Sequence, residues 1–447
     1  MGSARRLIYL ASLVAAAAAT WLHLAAIEEG VGLILGAALG GAGPDVKEMV
    51  DFLFFSTTCF LQDYLTFLFF LLWLARGRLA RKGNVLGRLP KVSVIIPAYN
   101  EEGTIGRTLE SLLRQTYPRE LMEIIVVDDG SEDSTYEAAS SFGVKVIRHK
   151  KNRGKGAAIA TGIKEAKGQI IVFVDADSVV EESAIGRLVN YLLSHKDTGA
   201  VAGAPLVANG DGGFWVKMQE IEYATASVFL KQVQESTDWL LVLPGTLSAY
   251  RAFLLKPFAE AKLDGLAEDF DLTVSVWKRG FRAGYEPKAV SWTRVPSNPS
   301  WLRRQRHRWY IGHLRVTAKH RNILMNKRFG MVGLMNYIFN FVNGFLIQST
   351  SLLGHFVFLT SLVMSYAFGV ELLPLNLGPN LLALYLSYFI FSILPHQLIN
   401  IFYLIKAGRR DLLPWSIPYS FFYTMWRAYL KTESLYMYMA GEKVRWK

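Results

Sequence analysis

Val92-Ser93-Val94-Ile95-Ile96-Pro97-Ala98-Tyr99-Asn100 decides how this chain folds. A short apolar run rich in β-branched residues, closed by a proline and a polar residue, reads as a buried strand. Three similar runs follow. Glu123 to Val127 ends at Asp128-Asp129-Gly130-Ser131, Val144 to Arg148 is the third, and Ile170 to Val174 ends at Asp175-Ala176-Asp177. A helical stretch, Thr104 to Gln115, separates the first two. Strands alternating with helices predict an α/β fold around a parallel sheet. Acidic and polar residues collect at the carboxyl ends of the strands, the edge where open parallel sheets bind ligands.

Beyond Ala200 the pattern predicts a helix over Phe214 to Gln234. Leu240-Leu-Val-Leu-Pro-Gly-Thr246 reads as a strand running into a loop. A further helix is expected over Asp269 to Arg279. Trp301 to Lys319 forms a basic, aromatic helix suited to a membrane interface.

The chain has 447 residues, of which 51% are hydrophobic and 13% aromatic. The net charge is +12 (49 − 37). No nucleic-acid-binding motif accompanies that charge, so nucleic acid is not an expected partner. Membrane orientation and anionic lipid headgroups account for it better. Cys59 is the only cysteine, which excludes an internal disulfide and a cysteine-rich zinc cluster. It sits in an apolar run and reads as a small hydrophobe.

Apolar blocks flank the α/β segment. Leu7 to Ala26 follows Arg5 and Arg6 and reads as a retained span or a cleaved signal. Phe52 to Ala75 reads as a second span. Arg76, Arg78, Arg81, Lys82 and Arg88 follow it, placing that end and the segment after Pro90 in the cytoplasm by the positive-inside rule. Val332 to Phe368, Leu381 to Ile405 and Leu412 to about Ala440 complete the set. The last carries Arg427, Lys431 and Glu433, so it crosses, re-enters or snorkels its charges. The expected organisation is residues 1–89 as two membrane helices, 90–325 as a cytoplasmic catalytic domain with interfacial helices, and 326–447 as about three further membrane helices.

The candidate site residues follow from chemistry. Asp175 and Asp177 flank one residue at a strand end and offer hard oxygens to Mg²⁺ or Mn²⁺, or else form a plain surface loop. Asp129, also at a strand end, suits a base imide N–H, and Tyr99 suits stacking on that base. Lys155, in Asn152-Arg-Gly-Lys-Gly156, approaches phosphate or simply starts a glycine-rich helix; the spacing is not that of a Walker loop. Asp269, beside Glu268, is a candidate general base or a helix-terminal acid opposing the macrodipole. In Gln305-Arg306-His307-Arg308-Trp309, Arg308 offers a planar donor array for a diphosphate and Trp309 a flat face for a sugar, unless both belong to an interfacial helix.

Together these signatures resemble glycosyltransferase family 2, and more narrowly its membrane-embedded processive members, the cellulose, chitin, hyaluronan and poly-N-acetylglucosamine synthases. The resemblance covers roughly Lys91 to Lys319. It implies a GT-A (Rossmann-like) domain inserted between transmembrane helices. It also implies inverting transfer from a UDP-sugar, UDP-N-acetylglucosamine or UDP-glucose, to a polysaccharide acceptor, with Mg²⁺ or Mn²⁺ as cofactor. By resemblance Tyr99, Glu101 and Asp129 would hold uridine, and Asp175 and Asp177 the diphosphate and metal. Asp269 would be the base, next to Glu268, while Gln305, Arg308 and Trp309 would bind diphosphate and acceptor. Leu243-Pro-Gly245-Thr246 looks like the family's acceptor-side loop, with Pro244 where several members carry Cys or Ser. Ala267 replaces the threonine that often precedes the Glu-Asp pair. Transfer of a single sugar to a lipid acceptor, as in ceramide glucosyltransferases and dolichyl-phosphate sugar synthases, is the alternative these motifs leave open.

Overall fold

A computed structural model describes residues 71–74, 88–260, 265–324, 326–336, 344–345 and 394–442. The chain divides into two compact units, one of Met1–Ala80 with Val342–Thr432 and one of Arg81–Phe341 with Glu433–Lys447. The expected 90–325 domain falls inside the second. That unit also takes the end of the expected 326–447 segment.

The second unit is built on one sheet of eight strands in the order β3-β2-β1-β4-β7-β6-β8-β5. They are β1 Val92–Ala98, β2 Met122–Asp128, β3 Lys145–Arg148, β4 Ile170–Phe173, β5 Ser178–Val180, β6 Thr198–Val207, β7 Ser248–Arg251 and β8 Arg282–Thr293. The first four are mutually parallel, as expected. β7 then runs antiparallel to both β4 and β6, so the sheet is mixed.

β1 is buried along its whole length because both faces of the sheet are covered. Val92, Val94, Ile96 and Ala98 enter the core on one face, under the helices α1 (Ile105–Leu113) and Ala184–Ser194. Ile95 points to the other face, toward Ile159 and Ile163 of α2 (Lys155–Glu165). This alternation is the period-two geometry of a strand, and each fully buried Val or Ile contributes about 1.5–3 kcal/mol.

Register places the site. Ala98 pairs with Asp128, and Ile95 with Phe173, so the residues after β1, β2 and β4 leave the sheet at one edge. Phe173 also pairs with Ser248 of antiparallel β7, which brings the residues before β7 to the same edge. Those residues, 240–246, are not the strand expected of them. Pro244 has no N–H to donate, and the Leu243 N–H is spent on the Thr273 hydroxyl at 3.1 Å. The strand starts only at Ser248.

The expected Phe214 to Gln234 helix is α3 (Phe214–Thr225), a wider turn over Ala226–Leu230, and α4 (Lys231–Ser236). The two later helices are α5 (Glu268–Lys278) and α6 (Pro299–Lys319). Asn298 caps α6 by accepting from the Trp301 N–H at 2.8 Å, with Pro299 in the first turn.

Among the described residues no helix is long and apolar enough to cross a membrane. The block at 7–26, most of 52–75 and of 332–368, and much of 381–405 lie outside them. Leu412 to Ala440 is described, and no helix within it is long and apolar enough to cross a membrane. A 3-10 turn over Arg410–Trp415 contains Pro414, and helical backbone then runs from Ser416 through a wider turn at Tyr419–Tyr423 into α7 (Thr424–Met439), which carries Arg427, Lys431 and Glu433.

Candidate active site

The edge of β4 and the start of α5 meet at Lys155. Its Nζ lies 2.7 Å from Asp175 Oδ1 and 2.8 Å from Glu268 Oε1. Burial alone would discharge this lysine, but the two carboxylates outweigh it and hold its ammonium above the ordinary lysine range. Lys155 is therefore the counter-charge that lets Asp175 and Glu268 share one cleft. Gly245 closes over the pair: a Cβ there would stand 3.0 Å from Lys155 Nζ and 3.2 Å from Asp175 Oδ1. Only a glycine brings the backbone that close without displacing them. Asp269, Ser248 and Tyr250 line the same cleft.

Asp269 sits in the first turn of α5. Burial, then the neighbouring Glu268, pushes its carboxyl up to about 6, against the pull of Lys155 and of the Phe270 N–H it accepts at 2.8 Å. A carboxylate raised toward neutrality is a better proton acceptor at working pH than a solvated one. Asp271, two residues on, is different. Its oxygens accept from Lys319 and His320, each at 2.6 Å, and His320 in turn contacts Lys278 at 2.7 Å. Asp271 ties the end of α6 to α5 and faces away from this chemistry.

Asp177 is pushed up to about 6 by burial and then by Asp175 and Glu101. Glu101, expected beside Tyr99 at a base, thus also faces the Asp175/Asp177 pair, while its Oε2 accepts from Thr104 at 2.7 Å. The crowding of Asp177 by Asp175 and Glu101 is of the kind a divalent cation would relieve. Among the described residues no three side-chain ligands converge on one point. Asp175 and Asp177 would hold such an ion, which suits Mg²⁺ or Mn²⁺ completed by phosphate oxygens and water.

Asp129 is only 1% exposed, and its carboxylate is committed. It accepts from His149 Nδ1 at 2.6 Å, from the Arg153 N–H at 3.0 Å and from the Gly154 N–H at 2.6 Å. In this structure it holds the turn that starts α2 and thereby aims Lys155. Gly130 must be glycine here: its φ is +75°, and a Cβ would lie 2.6 Å from the Lys151 carbonyl carbon. Tyr99 follows β1, half-buried, at the same edge.

On α6, Gln305, Arg308 and Trp309 share a face by helical spacing and are half-buried. The buried residue between them, Arg306, was not expected to matter. It pairs with Glu222 at 2.7 Å and lies 4.4 Å above the Trp309 ring, fixing that indole. Gln305 Oε1 is buried without a hydrogen-bond partner, as is the Thr246 hydroxyl beside Gly245. Tyr223 links this helix to the carboxylates. Burial pushes its hydroxyl up to about 12, and Arg306, Glu222, Asp177 and Asp175 all act on it. The buried Arg306, one position from the expected Gln305, had a signal in the sequence; Glu222, Tyr223 and His149 had none.

Residues 93–258 match glycosyl transferase family 2. This stretch is a family 2 glycosyltransferase domain. A probable glycosyltransferase of Bacillus subtilis is 33% identical over 243 residues, 52% of this chain and 57% of that protein. A poly-beta-1,6-N-acetyl-D-glucosamine synthase of Staphylococcus epidermidis is 31% identical over 225 residues, 49% of this chain and 54% of that one. The chain thus spans just over half the length of these curated relatives. A mannosyltransferase from Pyrobaculum calidifontis, solved with GDP-Man and Mn²⁺, superposes with a TM-score of 0.59 at 19% identity, covering 86% of this chain and 98% of that one. That likeness carries the fold alone. The family 2 domain has the GT-A architecture on a mixed sheet, and Asp175, Gly245 and β7 all belong to the matched stretch.

Proposed function

We propose that this family 2 glycosyltransferase transfers sugar, with inversion, from UDP-N-acetylglucosamine or UDP-glucose to a growing β-linked polysaccharide at a membrane. The observation that carries the reading is the convergence of Asp175 and Glu268 on the Lys155 nitrogen, with Asp269 alongside. In-line displacement at the anomeric carbon needs a proton acceptor on one side and charge stabilisation on the other. Asp269 would take the acceptor hydroxyl proton. A divalent ion held by Asp175 and Asp177 would stabilise the departing diphosphate. Arg308 would add donors to that diphosphate, and Trp309, fixed by Arg306, would seat the acceptor sugar. Tyr99, with Glu101 nearby, would receive the uracil.

The polysaccharide assignment draws support from the staphylococcal relatives, which are named poly-beta-1,6-N-acetyl-D-glucosamine synthases. The membrane assignment draws support from the apolar blocks of the sequence. Within the unit of 1–80 and 342–432, Ile417, Phe421, Phe422 and Tyr429 present apolar surface outward, as a lipid-facing segment would. In this reading the catalytic domain is cytoplasmic, the flanking spans lie in the cell membrane, and the polymer leaves between them.

Product length tests the proposal. With enzyme in large excess over acceptor and labelled UDP-sugar, long chains beside unused acceptor at early times establish processive synthesis. A single glycolipid at every donor concentration would replace polymerisation with single transfer to lipid.

A further inference from the structure

Lys231, the first residue of α4, is a half-buried lysine with no part in the donor site. Its Nζ donates to the Val242 carbonyl at 2.9 Å. The next N–H along the chain, that of Leu243, donates to Thr273 Oγ1 at 3.1 Å. The same hydroxyl donates to the Asp269 carbonyl at 2.7 Å. A continuous run of hydrogen bonds therefore leads from Lys231, through the loop, to the backbone of the base. Beyond Leu243 the loop places Gly245 on the Lys155–Asp175 pair and leaves the Thr246 hydroxyl buried without a partner. That hydroxyl is what a rigidly held loop would present to a ligand. Pro244 takes one backbone donor away from the loop, so the Lys231 bond supplies fixation that strand pairing does not.

We propose that Lys231 is a positioning residue of the acceptor side, clamping the Val242–Thr246 loop in register with Asp269 so that base, loop hydroxyl and acceptor sugar align. The inference rests on the reading of Asp269 as the base. Electrostatics agree with the geometry. Burial lowers Lys231 to about 8, opposed by Asp269, so the lysine and the aspartate sense one another. Glu268, Lys155 and Asp175 also act on Asp269, which in turn acts on Tyr250.

The test uses the full-length protein with Mg²⁺. In Lys231→Met, UDP affinity by calorimetry stays within about twofold, while turnover falls about 10–100-fold, the scale of a misplaced reacting group. Lys231→Arg, which still donates to the carbonyl, recovers most of the turnover. Competitive lysine labelling across pH, read by mass spectrometry, supplies a measure free of catalysis. Asp269→Asn should lower the apparent pKa of Lys231 by about one unit through loss of its carboxylate partner. Turnover of Lys231→Met within twofold of wild type, or a Lys231 titration unmoved by Asp269→Asn, overturns the clamp. Should the wild type transfer sugar from no UDP donor, the functional reading falls, and the labelling result still decides whether Lys231 and Asp269 are coupled.

Discussion

The ammonium of Lys155 stands 2.7 Å from Oδ1 of Asp175, and this contact organises the cleft. The same nitrogen reaches Glu268, so one cation holds together residues from a helix start, a strand end and a second helix. Asp129 aims that lysine by accepting from the Gly154 N–H just before it. The acidic signatures thus form one assembly, in which some carboxylates line the cleft and others position the first.

Lys155→Met should leave Asp175 and Glu268 facing each other without a counter-charge. Breaking a buried pair this way costs about 3–5 kcal/mol. Urea denaturation at neutral pH should show that loss, and the deficit should shrink as the pH falls and the carboxylates take up protons.

Gly245→Ala should preserve the fold and damage turnover. The added methyl meets Lys155 Nζ at 3.0 Å and Asp175 Oδ1 at 3.2 Å, so the pair must shift. A displacement of this kind costs up to about 100-fold in rate. Thermal melting should change little while sugar transfer drops at least about tenfold.

Asp271→Ala separates structure from chemistry within the acidic run. It removes the partner of Lys319 and His320, at a cost of about 3 kcal/mol, kept to the low end because Lys319 is largely solvated. Turnover per folded molecule should stay near wild type. Loss of turnover without loss of stability would move the base from Asp269 to Asp271.

Activity should fall as pH drops through about 6, where Asp269 takes up a proton and can no longer accept one. The stability sign is opposite to that of a salt-bridged aspartate. Because folding raises this carboxyl from 3.8 to about 6, the native state holds the proton more tightly. Asp269 therefore adds stability at low pH and loses that contribution as pH rises through the window. A rate profile flat down to pH 5 would contradict the assignment.

Much of the parallel half of the sheet was legible in the sequence, because Val92 to Ile96 and Ile170 to Val174 are apolar and β-branched and stop at polar residues. β6 was not read as a strand: Thr198–Val207 is alanine- and glycine-rich, and packing rather than propensity makes it extended. β8 hides behind Pro287 and Lys288 in its middle. The site followed the same division. Asp175, Asp177 and Asp269 announce themselves by position after a strand or before a helix. The bridging of Asp175 to Glu268 by Lys155, and the pairing of Arg306 with Glu222, depend on tertiary approach between distant segments, which no local spacing encodes.

In the proposed mechanism Asp269 deprotonates an acceptor for sugar transfer from a UDP donor. The direct measurement compares wild type with Asp269→Asn, using labelled UDP-N-acetylglucosamine and UDP-glucose with Mg²⁺ or Mn²⁺, and separates products by size. Wild type should yield a polymer ladder with one of the donors and none in excess chelator. Asp269→Asn should bind UDP with nearly unchanged affinity and turn over about 10²–10⁴-fold more slowly. Near-normal turnover in Asp269→Asn, or no transfer by the wild type from either donor, would contradict the account.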